Sequence, residues 1–190
     1  MNYTYFVPPF DFNPFSEMSK KEAVHFYEWY INEIPHRLDL FEKLLIENSV
    51  IEKLSFSTDL LIPIWDWYEK NICLRMLSDF EYSKKIIDYP DWMYKYVFNE
   101  ELSFEMLNIG MDLAVFFAEL FIHENKGKIE WGLITGRKKL ADVNQPVLVG
   151  FRNGILMNPR VIVENMALRS AKEKNRTRLY DIFYTWMENV

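Results

Sequence analysis

The sequence predicts an α+β protein, mainly helical, with about six or seven helices and a small antiparallel β-sheet formed late in the chain. Two stripes carry the helical part. Ala23, Phe26, Tyr27, Tyr30, Ile31 and Ile34 are spaced i, i+3, i+4, i+7, i+8 and i+11, and Leu179, Ile182, Phe183, Trp186, Met187 and Val190 repeat that spacing at the other end. The sheet is predicted by a change of texture after residue 128, where short β-rich runs replace helical spacing. Residues 1–190 are expected to form one globular domain, because no repeat, low-complexity tract or linker divides them.

An extended arm is expected over about residues 1–17. Pro8, Pro9 and Pro14 disfavour helix there, and Tyr3, Tyr5, Phe6 and Phe10 supply rings to dock it. Ser19-Lys20-Lys21-Glu22 is a capping-box pattern, so the first helix starts there. Pro35 is expected to end or kink it, with a second segment over 36–48 turning Leu38, Phe41, Leu44 and Leu45 inward. Ser57 caps a third helix through Tyr68 or beyond, with a kink or restart at Pro63. Residues 79–98 read as one or two short helices broken by Pro90.

Ser103 opens what is expected to be the longest helix, running to about Asn125 and closed near Gly127. Residues 129–134 and 147–151 read as two antiparallel strands. Residues 155–157 extend the sheet after a turn at Asn153-Gly154. Asn158-Pro159 places an N-cap and a first-turn proline, so a helix starts there. The final stripe completes the set.

Composition narrows the function. Six Gly leave no glycine-rich phosphate loop, and no Walker, dinucleotide or Gly-x-Ser-x-Gly pattern occurs. The lone Cys73 excludes an intramolecular disulfide and is expected to be a buried thiol. The start lacks a basic, apolar leader, and no apolar run nears the roughly 20 residues of a membrane span, which points to the cytoplasm and no membrane. No cofactor or metal is expected.

The net charge of −6 disfavours nucleic acid as a partner. It hides an asymmetry. Residues 1–125 hold 10 basic and 22 acidic side chains, and residues 126–190 hold 12 basic and 6 acidic. The basic side chains gather at Arg137-Lys138-Lys139 and at Arg169, Lys172, Lys174, Arg176 and Arg178. Solvated turns are the expected role of both groups.

Three kinds of candidate site emerge. Asp112, Glu119 and His123 fall within a sector of about 40° on the long helix, a pattern suited to acid–base work or ligand binding. A solvated helix edge is the plainer reading of the same pattern. Trp29 lies outside the first apolar stripe, and Trp65 and Trp67 are about 200° apart on one helix, so one of them must face outward. Such rings suit a protein–protein contact, and the 6 Trp, 11 Tyr and 15 Phe also suit a homodimer face in an assembly subunit. No residue is assigned a catalytic role.

Asp112-Leu113-Ala114, Glu119-Leu120-Phe121-Ile122, Glu130-Trp131-Gly132, Asn144 through Phe151 and Asn158-Pro159 together resemble a loosely related group of bacterial proteins, some of them thought to be immunity proteins of toxin systems. Met18 through Ala23 and Trp29 are similar to the start of such proteins. The resemblance covers about residues 105–170. It implies a stoichiometric inhibitor rather than an enzyme, and the charge asymmetry points to a basic toxin as the partner. The acidic first half fits that partner, since opposite charge speeds encounter.

Overall fold

Residues 3–87, 89–136 and 141–190 are described by a computed structural model of the chain. Helix α1 runs over Lys20–Glu47, and its capping box forms as the sequence predicts: the Ser19 hydroxyl accepts from the Glu22 amide, and Glu22 accepts from the Ser19 amide. The helix does not end at Pro35. An interior proline costs about 3 kcal/mol, yet the inward stripe continues across it through Ile34, Arg37, Phe41, Leu44 and Leu45. Packing on both sides of the exposed proline outweighs the lost hydrogen bond. As a result α1, and not the helix opened by Ser103, is the longest.

A 3-10 turn over Thr58–Leu60, capped by Ser57, leads into α2 (Leu61–Lys70). Pro63 therefore lies in the first turn of a restarted helix, where its missing N–H has no helical acceptor to lose. Strand β1 (Leu74–Met76) follows, then α3 (Asp79–Ile86), a 3-10 stretch over Asp91–Tyr96, and β2 (Glu100–Leu102). β1 and β2 pair antiparallel, with Met76 opposite Glu100. This ribbon is a second two-stranded sheet beyond the one the sequence predicts. Its strands are too short for alternation to show. Cys73 precedes it and is exposed rather than buried, because it alternates with Ile72 and Leu74, which pack against the core.

Helix α4 (Phe104–Glu124) is capped by Ser103 and is central. Phe116, Phe117 and Phe121 are fully buried along it, and α1, α5 and the last helix pack around it. By length and composition α4 could cross a membrane, but most of it is buried inside the protein. A side chain the size of Phe117 contributes about 1.5–3 kcal/mol on burial.

Strands β3 (Glu130–Leu133) and β4 (Pro146–Val149) pair antiparallel, with Trp131 opposite Leu148. Met157 adds a single bridge to Leu148, as the sequence predicts. Gly150 ends β4 at φ +104°, and a Cβ there would overlap the Lys128 carbonyl oxygen. Helix α5 (Pro159–Ser170) starts from the Asn158 cap, whose side chain accepts from the Val161 amide. Helix α6 (Arg178–Met187) packs Leu179 and Phe183 into the core beside Phe117 and Phe121.

The arm is extended and docked. Phe6, Phe10 and Phe15 pack against Phe26, Trp29, Tyr30 and His25 of α1. Asn144, in the left-handed region at φ 62°, donates its side-chain amide to the Phe15 and Met18 carbonyls and ties the end of the arm to the body.

Candidate functional site

The stripe on α4 is one face by angle but not one site. Asp112 is fully buried. The Arg37 guanidinium grips it with two bonds, Nε to Oδ1 at 2.7 Å and Nη2 to Oδ2 at 2.5 Å, and the Tyr3 hydroxyl donates to Oδ2. Burial pushes the Asp112 carboxyl upward, while the Arg37 and Tyr3 donors pull against it. Burial and the Asp112 charge hold the Tyr3 phenol far above its usual range, so it stays a donor. Asp112 is therefore neither on a solvated edge nor open to a substrate.

Glu119, seven residues on, accepts from the Trp131 indole N–H at 2.7 Å and fastens β3 to α4. His123 is exposed at the far end. Its ring tilts on Phe56 with centroids 5.4 Å apart, and Nδ1 lies 3.6 Å from Glu124. Asp112 and His123 are about 16 Å apart along the axis at 1.5 Å per residue. The stripe forms no acid–base pair. Among the described residues no group of three or more His, Cys, Asp or Glu side chains is placed to hold a metal.

Sequence reading singled out Asn108 as a polar residue of the long helix and Tyr3 as a docking ring, but it missed Arg37 and the contacts that join the three to Asp112 and the arm. The signal for Arg37 was present: it occupies an inward position between Ile34 and Phe41. Arg37 also donates through Nη1 to the Thr4 carbonyl, and its guanidinium lies over the Phe6 ring, 4.9 Å from the centroid. Asn108 reads the same stretch of arm backbone, accepting from the Phe6 amide and donating to the Thr4 carbonyl. This buried cluster holds the arm down.

The candidate tryptophans are occupied too. Trp29 lies under Phe6 and Phe10 of the arm. Trp65 is fully buried and donates its indole N–H to the Asn175 carbonyl at 3.1 Å. Trp67, on the opposite side as its spacing requires, is half-buried against the core. The cluster at 169–178 is partly internal. Arg178 is buried and donates to Ser170 and to the Glu173 carbonyl, while Lys174 donates to the Glu69 carbonyl. Arg137-Lys138-Lys139 lie outside the described residues.

Exposed apolar side chains gather elsewhere. The β1–β2 ribbon closes an excursion over residues 77–99, and α3 within it has no fully buried residue. Phe80 near the start of α3 and Ile87, the residue that caps its end, are 68 % and 74 % exposed. Trp92 is 67 % exposed in the 3-10 stretch. The excursion is internally braced. The Tyr82 hydroxyl donates toward the Tyr94 and Val97 carbonyls, and Arg75 on β1 pairs with Glu81 of α3 and Glu101 of β2. It is a shaped lobe bearing large apolar groups in water.

Comparison of the chain with family models, with curated proteins and with solved structures gives no match.

Proposed function

We propose that this chain acts in the cytoplasm by binding another protein stoichiometrically, through the outer face of the 77–99 lobe, and not by catalysis. The observation that carries the proposal is the exposure of Phe80, Ile87 and Trp92 on a braced excursion. Leaving such side chains in water costs the free protein the transfer free energy that a partner recovers. Tryptophan is enriched among the residues that dominate binding energy.

The lobe belongs to the acidic segment 1–125. That charge, with the resemblance to immunity proteins, favours a basic toxin as the partner. The separation of Asp112, Glu119 and His123 removes the main support for an enzyme reading.

The test is co-expression with the product of the adjacent gene, scored by rescue of growth and by co-purification. Trp92→Ala is expected to weaken the complex by about 30-fold, the effect of losing about 2 kcal/mol at a hot spot. Phe80→Asp together with Ile87→Asp is expected to abolish rescue while leaving the melting temperature unchanged. A chain that gives no rescue and binds no adjacent product, or whose complex ignores both variants, overturns the proposal. A concentration-dependent dimer that these variants dissociate would reassign the lobe to self-assembly.

A further inference from the structure

The lobe also helps to line a cleft. This cleft, of about 370 Å³, opens between the β1–β2 ribbon and the last turn of α5. Leu74, Phe98 and Leu168 form its apolar wall, and Lys85, Arg169 and Lys172 stand around it with one carboxylate, Glu100. Cavities of this size and lining suit small molecules.

The cations are underused. Among the described residues, neither Lys85 nor Lys172 forms an ion pair. Lys85 spends two donors on the Phe98 and Glu100 carbonyls, at 3.1 and 3.4 Å. An ammonium has three. Lys172 rests on the Phe98 ring with Nζ 2.8 Å from the centroid, which attracts the charge without neutralising it. Arg169 has Glu173 at 3.7 Å, a solvent-exposed pair that is readily exchanged. Three positive groups against one negative group thus face an apolar wall.

We propose that this cleft binds a small amphiphilic carboxylate, with an acyl or aryl body against Leu74, Phe98 and Leu168 and its head group on Lys85, Arg169 and Lys172. Each half of the site excludes a class. The wall gives a wholly polar anion nothing to bond, and the cations give a neutral lipid no advantage. The site shares Lys85 and Phe98 with the 77–99 lobe, Leu74 and Glu100 come from the ribbon, and Leu168, Arg169 and Lys172 come from the end of α5 and just beyond it; none of the exposed Phe80, Ile87 and Trp92 lines it, so the two proposals rest on different side chains.

The test is calorimetric titration of the full chain with decanoate, with decan-1-ol and inorganic phosphate as separate probes. Decanoate is expected to bind at one site, and decan-1-ol at least about tenfold more weakly, the loss of a charge-assisted hydrogen bond. Lys172→Gln and Arg169→Gln are each expected to weaken decanoate by about tenfold. Both side chains are exposed, so the far-UV dichroism and melting temperature stay unchanged. Equal affinity for the alcohol, many weak sites, phosphate binding as tight as decanoate, or undiminished binding when Lys172→Gln and Arg169→Gln are combined would each overturn the assignment. Co-purification reads the protein partner separately, so either proposal can fail alone.

Discussion

Removing the Asp112 carboxylate strands the Arg37 guanidinium, which is 2 % exposed, without a counter-charge. Breaking one side of a buried pair costs about 3–5 kcal/mol, because the remaining charge is desolvated and unpaired. Asp112→Ala is therefore expected to lower the unfolding free energy by that amount in urea titrations. Replacing both partners, with Arg37→Met and Asp112→Leu, is expected to restore most of it. His123→Ala is expected to change stability by no more than about 0.5 kcal/mol, as an exposed side chain should. Equal effects at Asp112 and His123 would mean that the stripe is one solvated face after all. The sequence showed the angular alignment of Asp112, Glu119 and His123 because that follows from helix geometry alone. It did not show that Asp112 meets Arg37, since that contact joins two helices far apart in the chain.

Elements were legible where their signals are local. The capping box at Ser19 and the Asn158-Pro159 start formed as read, because each depends on side chains within three residues of the backbone they satisfy, whereas Ser57 caps only the 3-10 turn that leads into α2. The helix end offered at Pro35 did not occur, because a local cost of about 3 kcal/mol was outweighed by packing that only the tertiary structure supplies. The β1–β2 ribbon was invisible because three-residue strands carry no period. Helix α3 is the element most dependent on its caps, since it buries no residue fully and eight-residue helices are marginal alone.

The acid behaviour of α3 follows from Glu81. The Arg75 hydrogen bond, then the Ser78 backbone and hydroxyl, hold its carboxyl down to about 2 from the usual 4.5. A carboxyl depressed in the folded state contributes stability above its unfolded value and loses it as pH falls. Protection of the first α3 amides from hydrogen exchange is expected to decline between pH 4.5 and about 2. The Glu81 carboxyl resonance should titrate near the lower end of that window. A midpoint at 4.5 would show that the cap and the Arg75 pair do not persist in solution.

At the scale of the molecule, the lobe is joined to the body through the β1–β2 ribbon, and the core is organised around α4. Met76 and Glu100 face each other across that ribbon, and a two-residue turn is the shortest connection such a pair accepts. Residues 77–99 can therefore be replaced by Asn-Gly, a sequence suited to the type I′ turn whose twist matches the strands. The core cluster keeps its buried residues from α1, α2, α4, β4, α5 and α6, none of which the excision removes. The shortened chain is expected to unfold cooperatively, with a denaturant midpoint close to that of the full chain and unchanged near-UV dichroism from Trp65. It is also expected to lose the proposed protein partner entirely. Loss of cooperativity on excision would place the lobe inside the folding unit, and Phe80, Ile87 and Trp92 would then need a structural explanation for their exposure. Retained cooperativity with retained partner binding would move the contact surface off the lobe.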